Sequence, residues 1–207
     1  KNKSLIAFVG APWTLLIYLY NLKEQEQLND KIITENKKEI SLVLNKLNKF
    51  LKIHIEHQIQ AGADVIQIFD SWAGLIKKED LNEYCYEPNK ELASFCKENK
   101  FPVICFPKGL KKNYKEFIKK VKPDAVNIDY EVDPLWARNN LKDICIQGGM
   151  SPEFLLKDEK FALEEAEKFL EVFKNNAYIF NLGHGILPKT NPDIVKKIVD
   201  KVNLIKR

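Results

Sequence analysis

Cysteine is scarce in this chain and poorly spaced for cross-linking or metal chemistry. The four, Cys85, Cys96, Cys105 and Cys145, contain no C-x-x-C pair, and two of them lie inside apolar, strand-like runs. That excludes a disulfide frame and a zinc site, and predicts reduced, buried thiols in a cytoplasmic protein. No G-x-G-x-x-G follows an apolar run, so a dinucleotide site is unsupported; Gly183-His184-Gly185 is a G-x-G alone. Internal repeats, low-complexity tracts and Gly/Ser linkers are also missing, so residues 1–207 are expected to form a single domain. A charge excess of one sign is absent: 33 basic residues face 29 acidic ones, a net +4. Lys37-Lys38 and Lys119-Lys120 sit on amphipathic patterns and read as solvated faces, so no nucleic-acid partner is expected. Long hydrophobic runs are missing too. Lys1 to Tyr20 has a basic tip and an apolar stretch, but Gly10 and Pro12 interrupt it. Tyr and Asn follow where a small-residue cleavage site belongs, so neither a signal peptide nor a membrane span is expected. The chain does not open on Met, which predicts that more of it lies upstream.

Six short apolar, β-branched runs are present: Leu5–Val9, Val65–Phe69, Val103–Phe106, Ala125–Ile128, Ile144–Gln147 and Ile179–Leu182. They are continuous rather than alternating, as expected of strands buried on both faces of a parallel sheet. Helical periodicity separates most of them. Lys37 to Gln60 repeats Ile40, Leu44, Leu47, Leu51, Ile55 and Ile59 at helix spacing. Further helices are expected over Asn89–Glu98, Asn113–Val121, Leu135–Leu141, Lys160–Lys174 and Pro192–Ile205, with Asp133-Pro134 as a start signal. Asn21 to Glu35 is polar and reads as a loop or frayed helix start. This alternation predicts an α/β fold with a parallel sheet. Seven of the eight glycines fall just past a strand, the side on which β/α barrels place their active sites. Six units are two short of a closed barrel, so a barrel reading puts the first strands upstream of Lys1.

The strand ends carry the polar groups. Phe8-Val9-Gly10-Ala11-Pro12-Trp13-Thr14 leads into a helix on which Tyr18 lies one turn beyond Thr14. Its phenol can donate to a carboxylate or to a backbone carbonyl in the core. Phe69-Asp70-Ser71-Trp72-Ala73-Gly74 is expected to bring Asp70 and Ser71 to the mouth together, with an Asx-turn as the bland role for Asp70. Lys108, in Cys105-Phe106-Pro107-Lys108-Gly109, is either a carboxylate partner, a Schiff-base amine or an exposed cation. Asp129-Tyr130-Glu131 offers paired carboxylates, and Asp133 reads as a helix cap. Arg138, the one arginine besides Arg207, suggests a structural salt bridge. His184, between two glycines at a strand end, is the most specific local signal and is expected at the mouth, where both neighbours permit close approach of a ligand. His54 and His57 have metal-ligand spacing, but nothing beside them supplies a third ligand, so no metal is expected.

Taken in order, these segments resemble uroporphyrinogen decarboxylase. The resemblance rests on F-V-G-A-P-W-T-L-L-I-Y at 8–18, Q-I-Q-A-G-A-D-V-I-Q-I-F-D-S-W-A-G at 58–74 and I-F-N-L-G-H-G-I-L-P at 179–188. Pro102–Gly109, Val126–Arg138 and Gln147–Pro152 match as well, so the likeness covers essentially the whole chain. It implies a (β/α)8 TIM-type barrel, of which this chain is the C-terminal six βα units. It also implies a carboxy-lyase of the heme pathway that decarboxylates the four acetates of uroporphyrinogen III to give coproporphyrinogen III. No metal and no organic cofactor is implied; the expected partner is the small-molecule substrate, with no nucleic acid or membrane, in a homodimer. Position by position, Tyr18, Ser71 and His184 match residues that meet substrate carboxylates, and Phe69 matches the pocket wall. The family's aspartate and key arginines belong upstream of Lys1, so no catalytic residue is assigned here. Two segments depart from the pattern: Asn21–Gln27, where the family is glycine-rich, and Gln147-Gly148-Gly149-Met150-Ser151-Pro152, where it has Q-G-N-x-D-P. The alternatives are a corrinoid-linked methyltransferase of the related barrel family, which needs zinc held partly by a Cys near the last strand, and an inactive truncated fragment. No Cys follows Cys145.

Overall fold

The computed structural model of the chain describes residues 3–22 and 35–205. Most of the polar stretch Asn21–Glu35, and with it most of the departure at Asn21–Gln27, lies outside the described residues. The chain divides into two compact units, Lys1–Asp124 and Ala125–Arg207.

In the first unit β1 (Ile6–Gly10), β2 (Val65–Asp70) and β3 (Val103–Pro107) pair in parallel, in that order. Between them run α1 (Pro12–Leu19), α2 (Lys37–Gln60) and α3 (Glu87–Glu98), and α4 (Tyr114–Val121) follows β3. Every residue of β3 is buried, as a strand covered on both faces must be. β1 departs from that expectation. Its one strand partner among the described residues is β2, and Phe8 is 64% exposed. The expected apolar stripe of α2 packs through Ile40, Leu44, Leu51 and Ile55, each such burial contributing about 1.5–3 kcal/mol. Leu47 is only half-buried, and Asn48 fills the stripe beside it. Before α3 the backbone widens into a π-turn over Asn82–Tyr86, so that the consecutive side chains of Tyr84, Cys85 and Tyr86 are all buried. The helix therefore begins at Glu87, ahead of the start expected at Asn89.

The second unit pairs β4 (Ala125–Ile128), β5 (Cys145–Gly148) and β6 (Tyr178–Ile179) in parallel. Its helices are α5 (Pro134–Asn140), α6 (Glu159–Val172) and α7 (Pro192–Leu204). Asp133 caps α5 as expected, accepting from the Trp136 N–H at 2.6 Å, and Asp158 caps α6 in the same way at 2.9 Å. The last strand is shorter than the run Ile179–Leu182: Leu182 reaches β-pairing only as an isolated parallel bridge to Met150. Strand-then-helix order holds throughout, so the fold is α/β of the β/α-barrel type. All four cysteines are free thiols, three of them buried, and burial pushes the Cys96 thiol up to about 12. Among the described residues no helix is long and apolar enough to cross a membrane.

Candidate functional site

Strand geometry sorts the residues at the end of β2. Side chains alternate across a strand, so Asp70, the last residue of β2, points away from the side that Phe69 takes, and Ser71 follows in the turn. Phe69 and Ser71 are half-buried, and Asp70 is 0% exposed. The expectation that Asp70 faces the mouth beside Ser71 is therefore corrected. It makes no Asx-turn either. One oxygen accepts from the Thr14 hydroxyl on α1 at 2.9 Å, and the other accepts from the Asn89 amide on α3 at 2.8 Å. The Asn89 amide also donates to the Cys85 carbonyl at 2.8 Å. The Thr14 oxygen in turn accepts the Trp72 N–H at 3.3 Å, and the Trp13 indole donates to the Trp72 carbonyl at 3.1 Å. With the Cys85 thiol as a third donor and no acceptor, the contacts on the carboxyl fit its ionised form, and each bond to a charged group contributes about 1.5–3 kcal/mol.

No cation pairs with Asp70 among the described residues. Burial therefore raises its pKa to about 6, against the opposing pull of Asn89, Thr14 and Cys85. The folded state holds this proton more tightly than the unfolded chain, whose carboxyl titrates near 3.8. Its contribution to stability is full below that value and is lost as pH rises through about 6. On raising the pH across that window, wild-type protein is expected to lose stability relative to Asp70→Asn. Urea midpoints of the two proteins at several pH values check this; parallel curves would refute it.

Tyr18 is 54% exposed on α1, its ring edge-on to Trp72 with centroids 6.4 Å apart. The core alternative for its phenol is thereby ruled out. Phe69 lies edge-on to Phe8 and to Phe106, with centroids at 5.7 and 5.8 Å. The Trp72 indole N–H is buried without an acceptor among the described residues, which adds one more donor to this corner. Tyr18, Phe69 and Ser71 thus gather at one end of the first unit. Lys108 is half-buried beside them, its backbone N–H on the Asp70 carbonyl at 3.1 Å. Sequence reasoning missed the roles of Thr14 and Asn89; the alternation of β2 could have turned Asp70 away from the mouth, but nothing local marked either partner.

In the second unit His184 is exposed, as expected, but its flanking glycines differ in role. Gly183 is buried against the backbone of Asp129 and Tyr130, and Gly185 faces open space. Asp129 is buried and accepts the Glu131 N–H at 3.0 Å, closing its own turn. Arg138 makes no salt bridge to a described carboxylate; its Nε donates to Asn139 Oδ1 at 3.3 Å. In the departing segment Ser151 starts a short 3-10 turn, accepting the Glu153 N–H at 3.3 Å.

A family model described as Uroporphyrinogen decarboxylase (URO-D) matches residues 1–204. Curated relatives with the name uroporphyrinogen decarboxylase include one from Orientia tsutsugamushi (strain Ikeda), 40% identical, with 96% of this chain and 60% of the relative covered. Another, from Rickettsia felis, is 38% identical over 99% of this chain and 60% of its own length. The chain thus spans about 60% of the length of these relatives. Among solved structures, a methyltransferase from Methanosarcina mazei matches with a TM-score of 0.82 at 17% identity, covering 98% of this chain and 59% of that one. A B12-independent methionine synthase from Shewanella matches at 0.63 and 10% identity, covering 98% and 61%. At such identities the likeness is one of fold alone.

Proposed function

Because the chain belongs to the uroporphyrinogen decarboxylase family, we propose that it provides substrate-binding strand ends of an enzyme that decarboxylates the four acetates of uroporphyrinogen III. The product is coproporphyrinogen III. The observation that carries the reading is the corner at the end of β2, where Tyr18, Ser71 and the Phe69 ring gather beside the family strings that hold them. The Tyr18 and Ser71 hydroxyls are neutral donors suited to the outer carboxylates of an octa-anionic substrate. Phe69 supplies an apolar wall, and His184 is the carboxylate contact in the second unit.

The chemistry needs little from these side chains beyond holding the substrate. Protonating the pyrrole carbon adjacent to the one that bears the acetate makes the ring an electron sink. The bond between the acetate methylene and its carboxyl then breaks, carbon dioxide leaves, and the electron pair returns to the ring. A second proton completes the new methyl group, and the ring carbon gives up the first proton to restore the pyrrole. Tyr18, Ser71 and His184 bind the substrate; none of them is the acid or base. The enzyme acts as a cytoplasmic homodimer with a small-molecule substrate.

The test is to give full-length protein uroporphyrinogen III kept reduced and to follow coproporphyrinogen. Turnover is expected, and its absence with substrate intact would sink the reading. In the same protein His184→Ala is expected to weaken product binding about 10- to 100-fold, the value of one charge-assisted hydrogen bond, with a smaller loss of turnover. A large drop in turnover at unchanged affinity would refute the role given to His184.

A further inference from the structure

The buried carboxyl of Asp70 touches nothing that a substrate reaches, yet it joins three elements at one point. Through Thr14 it holds the first turn of α1, through Asn89 the start of α3, and it stands itself at the end of β2. The Thr14 oxygen passes the connection on by accepting the Trp72 N–H. That N–H belongs to the peptide between Ser71 and Trp72, so the backbone carrying Ser71 is fixed relative to α1. Tyr18 lies one turn further along α1, and its ring meets Trp72 edge-on. The Trp13 indole closes the loop on the Trp72 carbonyl.

We propose that Asp70 is a positioning residue, whose carboxylate orients the Thr14 hydroxyl so that α1 and the Ser71-Trp72 corner hold Tyr18 and Ser71 in register for substrate carboxylates. The inference rests on the decarboxylase reading for what Tyr18 and Ser71 bind, and on the hydrogen-bond chain alone for how they are held. Its physical basis is directional. A threonine hydroxyl that gives its proton to Asp70 has its lone pairs left for the Trp72 N–H. Without the carboxylate the hydroxyl is free to rotate, and the Trp72 amide loses a fixed acceptor. The other titratable groups facing Asp70 are the thiols of Cys85, in the π-turn before α3, and Cys105, on β3. Burial pushes both thiols well above their usual range, so they stay neutral while the carboxylate holds its charge.

The experiment uses full-length wild type, Thr14→Val, which keeps the shape without the hydroxyl, and Thr14→Ser, which restores the hydroxyl. Hydrogen exchange is read at the Trp72 amide and the Trp13 indole, with the Gly183 amide as a control in the other unit. KM and kcat for uroporphyrinogen are measured on the same proteins. Thr14→Val is expected to speed exchange at both tryptophan positions by about tenfold or more, with the control unmoved. It should raise KM by about tenfold with little change in kcat, and Thr14→Ser should restore both. Unchanged exchange at Trp72, unchanged KM, or no rescue by serine would overturn the proposal. A wild type that does not turn over uroporphyrinogen sinks the decarboxylase reading instead, and exchange at Trp72 and Trp13 then decides the positioning by itself. If Thr14→Val does not fold, Asp70→Asn, which keeps the shape and withdraws one acceptor, is read by the same criteria.

Discussion

Trp13→Ala is expected to destabilise the protein by about 3–5 kcal/mol, the range found when a fully buried large aromatic is truncated. Trp13 has no exposed surface and stacks on Tyr84, with ring centroids 5.4 Å apart and planes 11° from parallel. Leu16 and Ile17, buried on the same short helix, lose their neighbour with it. The indole also donates to the Trp72 carbonyl, so truncation removes one of that acceptor's two donors, leaving the Leu75 N–H at 3.1 Å, as well as opening a cavity. Trp13→Phe separates the two effects. It retains most of the stack and forfeits the hydrogen bond, and should cost about 1–3 kcal/mol. Urea denaturation of full-length wild type and both variants gives the comparison. Equal losses for Phe and Ala would mean that the hydrogen bond, not the ring, carries the stability.

Gly183→Ala is the second large effect, and it follows from backbone rather than side-chain packing. A Cβ at position 183 would stand 2.8 Å from the Asp129 carbonyl carbon and closer still to the Tyr130 nitrogen. Main-chain atoms cannot swing aside, so the strand-end loop must shift as a whole. Such a shift breaks the Gly183 N–H bond to the Met150 carbonyl, 2.7 Å, and the Leu182–Met150 bridge. About 3 kcal/mol or more is expected from the clash and the lost pairing together. The neighbouring Gly185→Ala meets nothing within 4 Å and should stay within about 0.5 kcal/mol of wild type. Thermal melts of the pair decide it. A mild Gly183→Ala would show that the loop yields, and a costly Gly185→Ala that the glycine pair acts as a unit.

Strands β2 to β5 were legible because continuous apolar runs end where turn residues begin, and the structure moves each boundary by a residue at most. β6 was not. Its run continues to Leu182, but the Asn181 side chain takes the Leu182 N–H at 2.8 Å, a local bond that competes with the ladder. The stripe of α2 was legible at Ile40, Leu44, Leu51 and Ile55; Leu47 and Ile59 are only half-buried, and Asn48 is a polar residue in a core position that periodicity alone cannot reveal. Family strings marked Tyr18, Phe69, Ser71 and His184, and the structure adds their exposure and neighbours. Asp70 shows the limit of adjacency: it follows Phe69 and precedes Ser71, yet the pleat sends it the other way, to partners 56 and 19 residues distant. Asn89 could not be found from its surroundings, since its meaning depends on a strand that is remote in the sequence.

At the ends of β2 and β3 the chain meets itself without side chains between. A Cβ at Gly109, whose φ is +83°, would stand 2.9 Å from the Gly74 Cα, and one at Gly74 would stand 3.0 Å from the Gly109 Cα. The two positions therefore do not vary as independent letters. Neither can be relieved by shrinking the other, because both already carry the smallest residue there is. In a population of drifting sequences this leaves no stepwise exchange by which one site changes and its partner compensates. The pair is a frozen seam, and any lineage that alters it has to rebuild the loops on both sides.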